Sequence, residues 1–243
     1  MSIYSAFTSL TPRMWRRALQ QHRSWPLPPG PSGAIAGWRQ EGRCRSPAYA
    51  RYVLEASCDH VAEACANFST VLACSNDDDW APGTPEEDWT VPQLVNHVVA
   101  TMTKFSDFAE GLTEAPGTPP GDMLAAGGIT AFEAARARAL NAWASVDPQR
   151  CCRLPFGEFS AAQAAAIVSF DVLLHAWDLA QVLNAPISPP SDALLAVAAS
   201  VAERLVTPEA IAQGFYADPM PAPPIPGWGN LLWRTGRRSA GRA

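Results

Sequence analysis

From Val53 onward the apolar residues of this chain recur at three- and four-residue intervals in long stretches, each closed by a cluster of proline, glycine and small polar residues. That pattern admits helices packed on helices and little else. The first stretch, VLEASCDHVAEACANFSTVLA, places Leu54, Cys58, Val61, Cys65, Phe68 and Leu72 on one stripe, widened by Val53, Ala62 and Val71. An acidic loop with two tryptophans follows, CSNDDDWAPGTPEEDW, containing Trp80 and Trp89. Thr90 and Gln93 have the spacing of a capping box with Pro92 in the first turn, which predicts a second helix from Val91 to Leu112, stopped by TEAPGTPPGD. A third is expected from Thr130 to Trp143. RLPFGEFS then reads as a short extended link ending in Ser160, a good N-cap for a fourth helix from Ala161 to Asn184. APISPPSD ends that helix, a further one is expected from Asp192 to Leu205, and the tail is proline-rich (PMPAPPIPGWG) before NLLWRTGRR. The reading is an all-α, antiparallel four-helix bundle with an additional C-terminal helix and an irregular tail.

The fourth stretch raises a problem of charge. In SFDVLLHAWDLAQVL, Asp171, His175 and Asp178 fall at helical spacing on a stripe shared with Val168 and Val182 and flanked by Ile167 and Leu174. An unpartnered carboxylate or imidazole in such surroundings costs several kcal/mol unless something compensates it. Histidine is scarce, so each can be weighed. His22 lies in the head and His60 has polar neighbours, and both read as solvent-facing. His97, in PQLVNHVVATMTKF, shares its face with Leu94, Thr101, Phe105 and Phe108. Alone it reads first as a hydrogen-bonded core residue. If the second and fourth helices face each other, however, His97 meets Asp171 and His175 as a two-histidine, one-carboxylate set. Three protein ligands leave one coordination position open, as at catalytic zinc. Asp178 is then placed to accept the free ring N–H of a ligand histidine or to serve the substrate side, a catalytic role. The competing reading is an Asp–His pair that only ties helices together.

Charge and cysteine usage narrow the function. Residues 1–54 carry eight arginines against one acid, a net +7, while the remainder carries 10 basic and 22 acidic residues, a net −12. An acidic body repels nucleic-acid phosphate, so no nucleic acid is expected as a partner. No apolar run approaches the ~20 residues that cross a bilayer, and no membrane role is expected. Lys104 is the only lysine, which reads as a coding bias. The six cysteines, Cys44, Cys58, Cys65, Cys74, Cys151 and Cys152, show no CxxC spacing, which predicts reduced thiols in a cytoplasmic protein, with the vicinal pair a weak redox flag. The centre of the head, PLPPGPSG, cannot hold a helix or a ladder. Residues 1–52 are therefore expected to be a poorly ordered basic extension, translated upstream of the true start with Val53 as the alternative initiation point, and residues 53–238 the bundle.

TPEEDWTVPQLVNHVVATM, FDVLLHAWDLAQVLN and NLLWRTGRR together resemble the metal-binding proteins of the DinB-like superfamily, in the branch of mycothiol-dependent maleylpyruvate isomerase. The resemblance spans Val53 to Arg238. It implies an up-down-down-up four-helix bundle and a divalent metal, usually zinc, on His97, Asp171 and His175. The isomerase uses two histidines and a glutamate, and Asp171 is one methylene shorter. Some relatives carry a C-terminal domain that helps bind the thiol cofactor, and the tail here is too short for a sizeable one. The expected activity is that of a mycothiol-dependent isomerase or thiol S-transferase: a small-molecule thiol, deprotonated at the metal, attacks an electrophilic substrate, with Arg234 or Arg237 reaching an anionic substrate if the tail folds back. The rival class is a non-catalytic metal-binding or ligand-sensing bundle, a homodimer through an apolar helix face. A two-histidine, one-carboxylate iron oxygenase matches the ligand types but belongs to other folds.

Overall fold

The computed structural model describes residues 47–81, 89–117, 119, 121–154, 156–212, 215–219 and 227–237, with side chains from residue 53 onward. The basic head up to residue 46 lies outside the described residues, as do residues 82–88 of the acidic loop and 220–226 of the proline-rich run. Four long helices dominate: α1 (Pro47–Leu72), α2 (Val91–Ala109), α3 (Gly128–Ser145) and α4 (Ala161–Val182). A 3-10 turn, Asp77–Trp80, precedes α2, and three shorter helices follow α4: α5 (Asp192–Leu205), α6 (Pro208–Ala212) and α7 (Trp228–Arg234). The first helix begins at Pro47, ahead of the expected Val53.

The bundle is a ring in which α4 packs on α1 and α2, and α3 closes the other side against both. Chain neighbours α1 and α2 thus stand diagonally and meet through core side chains, as where the Cys65 thiol lies 3.7 Å from Met102 Sδ. Helix α4 is the centre of the molecule. Fifteen of its 22 residues are buried, so it is apolar nearly all round, as a helix enclosed by others must be. Its length and mean hydropathy of 1.3 suffice to cross a membrane, which corrects the expectation that no segment was apolar enough. Here that apolar surface is covered by neighbouring helices, with 72% of the window buried.

Local chemistry sets the ends of the elements that carry the site. The capping box of Thr90 with Gln93 opens α2, and the Ser160 cap opens α4, where Gln163 completes a box of the same kind. Helix α2 stops at Ala109, short of the expected Leu112, because Gly111 turns left-handed (φ 82°) and the amides of Gly111 and Leu112 close back on the carbonyls of Phe108 and Asp107. Asn184 (φ 48°) ends α4 in the same way. The segment after α3 is a hairpin, not a single extended link: β1 (Cys151–Leu154) pairs antiparallel with β2 (Gly157–Ser160). Alternation along β1 buries Cys152 and Leu154 and exposes Cys151 and Arg153, so the vicinal thiols face opposite sides. Burial pushes the Cys152 thiol up to about 12, against the pull of Lys104.

Candidate metal centre

Asp171, His175 and Asp178 are the only ionisable side chains on α4, and all three sit in the part of the helix that faces α2 and the C-terminal tail. Their stripe is not uniformly apolar: Val168 is buried, whereas Val182, at the last turn, is 49% exposed. From α2, two turns beyond the Thr90 cap, His97 reaches across to them. Asn96 steadies that stretch by accepting from Met123 N (2.7 Å) and donating to the Gly121 carbonyl (3.4 Å), which ties the following loop to α2.

The three expected ligands converge. His97 Nε2 lies 3.4 Å from Asp171 Oδ2, and His175 Nε2 lies 3.7 Å from Asp171 Oδ1. The two imidazoles meet edge to face with ring centroids 4.7 Å apart, and one ligand atom from each residue falls within 4.8 Å of the others. With metal–ligand bonds of about 2.0–2.1 Å, the edges of a zinc tetrahedron are ~3.4 Å. The two histidine–carboxylate separations, 3.4 and 3.7 Å, lie close to that edge. Asp171 Oδ2 is also buried and, beyond the 3.4 Å approach of His97 Nε2, accepts no hydrogen bond of ordinary geometry, which leaves it coordinating capacity that a cation would use. The side chain of Asp171 as a whole is 30% exposed, against 12% and 14% for the histidines, so the centre opens toward solvent on the carboxylate side.

The electrostatics favour the ligand forms of these groups. Burial drives the His97 pKa down and the Asp171 carboxylate only partly restores it, so the ring is held neutral at neutral pH. For Asp171 burial pulls toward protonation, but the two imidazoles and Lys104 outweigh it and keep the carboxyl well below the usual range. A neutral His97 imidazole beside an ionised Asp171 carboxylate is what metal binding needs.

Asp178 is engaged on both oxygens. His175 Nδ1 lies 2.9 Å from Oδ2, so a proton on Nδ1 donates to the carboxylate and leaves Nε2 with its lone pair toward Asp171. Arg237 donates from Nε to Oδ1 and from a terminal NH2 to Oδ2, each at 2.8 Å. Burial raises the Asp178 pKa, but the guanidinium and the imidazole N–H bring it down to about 2. Arg237 was expected to be available to an anionic substrate; the structure ties it to Asp178, and Arg234 faces Glu203 at 3.9 Å on the surface.

Three contributors escaped the sequence reading. Trp89 stacks on His175 (5.8 Å, 15°) and meets His97 edge on (5.0 Å), covering both rings. Its position directly before the Thr90 cap was the available signal, because it puts the indole about two turns from His97. Lys104 lies on the same face of α2 as His97, and its pKa is lowered by burial against the pull of Asp171 and Cys152. The phenol of Tyr216 is raised by burial and by the negative charge of Asp171. His60, expected in solvent, is half-buried with Nδ1 enclosed and unbonded, and it takes no part in the cluster.

Residues 61–180 match the model of the mycothiol maleylpyruvate isomerase N-terminal domain. Two relatives from Mycobacterium tuberculosis, Rv0738 of strain H37Rv and MT0763 of strain CDC 1551, are each 32% identical over 159 residues, covering 64% of this chain and 83% of the relative. The chain belongs to this family. Both relatives are described only as uncharacterized proteins, and no solved structure matches the chain. Membership fits the DinB-like helical bundle and associates the chain with mycothiol and metal binding. The matched stretch contains His97, Asp171, His175 and Asp178 but ends well before Arg237.

Proposed function

We propose that this protein holds a divalent cation, zinc in the first instance, on His97, Asp171 and His175, and acts on a small thiol such as mycothiol as an isomerase or S-transferase. The observation that carries the reading is the convergence of the three ligand atoms around a buried carboxylate oxygen with coordinating capacity left. A cation bound there supplies Lewis acidity, stabilising the deprotonated form of a thiol that reaches it.

The chain's own groups prepare that chemistry. Asp178 holds the proton on His175 Nδ1 and so presents Nε2 as a ligand. Trp89 shields the two imidazoles from water on one side, which raises the local strength of charge interactions. The exposed flank of Asp171 is the approach for thiol and electrophile. In the reaction the thiol's proton is lost to solvent, its sulfur bonds to one carbon of an electron-poor carbon–carbon double bond, and the pair from the π bond broken moves onto the conjugated carbonyl, taking up a proton when the adduct is released. A transferase releases that adduct; an isomerase expels the thiol again and returns it unchanged. Lys104, directed along the same face of α2, is placed to favour an anionic substrate.

The test is elemental analysis of wild type beside His97→Ala and His175→Ala, followed by calorimetry of the loaded wild type with mycothiol. About one cation per chain in the wild type and none in either variant supports the centre. Loaded protein that neither binds mycothiol nor conjugates it to an electrophile sinks the thiol chemistry while leaving metal binding in place.

A further inference from the structure

We propose that Arg237 is a positioning residue for the metal centre, acting through Asp178 on His175, so that the C-terminal tail completes a site whose ligands all come from the bundle. The inference rests on the reading that His97, Asp171 and His175 hold a divalent cation.

Two parallel hydrogen bonds from one guanidinium fix the plane of the carboxylate they grip. Arg237 makes both to Asp178 at 2.8 Å, with side-chain exposures of 11% and 15% for the pair. The same Oδ2 sits 2.9 Å from His175 Nδ1. With the carboxylate plane fixed, the imidazole has one orientation, the one that leaves Nε2 3.7 Å from Asp171. Without the guanidinium, Asp178 would be a buried carboxylate held from one side only, free to turn about its last torsion and take the ring with it.

The tail is built to deliver this one side chain. Helix α7 anchors itself through buried Leu231 and Leu232 and packs on α5. It ends in a Schellman turn: Gly236 N donates to the Trp233 carbonyl at 3.0 Å, and Arg237 N donates to the Leu232 carbonyl at 2.7 Å. Gly236 is left-handed (φ 74°), and a Cβ there would come within 2.6 Å of Ala217 Cβ and 2.9 Å of its carbonyl oxygen. Only glycine allows the chain to reverse so close to residue 217, and the reversal aims Arg237 inward at α4. Arg234, on the preceding turn, makes a 3.9 Å surface contact with Glu203 and has no such role. An ion pair that merely docked the tail would alter stability and leave cation affinity alone, which separates the two explanations.

The test uses the full chain, titrated with Co2+ and Zn2+ against a competing chelator, and the visible spectrum of the cobalt form. Variants are Arg237→Gln, Arg237→Lys, Arg234→Gln, Asp178→Asn and the double Arg237→Gln/Asp178→Asn. Arg237→Gln is expected to weaken metal binding by about 10–100-fold and to shift the cobalt bands, as loss of a partner behind a ligand does. Arg234→Gln is expected to match wild type. The double variant should bind no more weakly than Asp178→Asn alone, because Arg237 acts through that carboxylate. Arg237→Lys keeps the charge but not the fork, so it should also lose affinity; it carries the test if the glutamine variant does not fold. Unchanged affinity and spectrum in folded Arg237 variants would overturn the proposal, as would an equal further loss in the Asp178→Asn background. A wild type that binds neither metal overturns the proposed function and this inference with it, whereas a metal-binding wild type with indifferent Arg237 variants overturns this inference alone.

Discussion

The seam between α2 and α4 and the seam between α1 and α3 are made of similar helices, yet one gathers carboxylate and imidazole groups and the other keeps such groups at its rim. Between α1 and α3, Phe68 stacks on Phe132 at 4.6 Å, Trp143 fills the adjoining space, and the Cys58 thiol donates to the Trp143 carbonyl at 3.4 Å. Polar groups there stay at the rim, as where Ser69 donates to Glu133. Between α2 and α4, by contrast, His97, Asp171 and His175 occupy space that hydrocarbon could have filled. The first seam lowers the free energy of the fold; the second gives up part of that gain in order to hold something.

Breaking the apolar seam should give the largest effect. Phe132→Ala is expected to destabilise the protein by about 3–5 kcal/mol, read as a lower urea midpoint, because a large buried side chain leaves a cavity. Cation affinity of the folded fraction should be unchanged; a matching loss of affinity would show that the seams are not independent.

Acid tests the other seam. Asp178 titrates at about 2 in the fold against 3.8 in the unfolded chain, so its stabilisation is full above pH ~4 and disappears as pH falls toward 2. That amounts to about 2 kcal/mol, and Asp171, also held low, acts in the same direction. Metal-free Asp178→Asn should therefore show a shallower fall in stability between pH 5 and 2 than wild type. An unchanged slope in acid denaturation curves would remove Asp178 from the account.

Gly236→Ala should cost about 1 kcal/mol or more from its left-handed backbone, and the contact with Ala217 should displace Arg237. A thermal melt together with a metal titration checks both parts. If stability falls and affinity does not, the tail is only a structural tether. The smallest change is expected at the surface network in which Arg138 binds Asp107 and Glu110. Here Glu110→Gln should shift stability by no more than about 0.5 kcal/mol at moderate salt and leave metal binding alone.

Much of this molecule was legible in one dimension. A capping box at Thr90 and an N-cap at Ser160 located the starts of α2 and α4, because the side-chain oxygen and the amide it satisfies are three residues apart. The i, i+4 and i+7 spacing of Asp171, His175 and Asp178 placed them together for the same local reason. Where a strand pairs with its immediate neighbour, alternation was too short to read, so the hairpin at residues 151–160 passed as a link.

What only the tertiary structure decided is everything that depends on which faces meet. Periodicity put His97 on an apolar stripe but could not say that α2 would lie against α4 and not against α1. It could not bring Trp89 over two imidazoles on different helices, or carry Arg237 back from residue 237 to residue 178, because contacts between distant residues leave no repeat in a sequence. Helical spacing is dictated by bonds within a few residues and is written locally. The pairing of side chains across helices is dictated by how whole surfaces pack, and here that packing turns three separate polar residues into one candidate cation site.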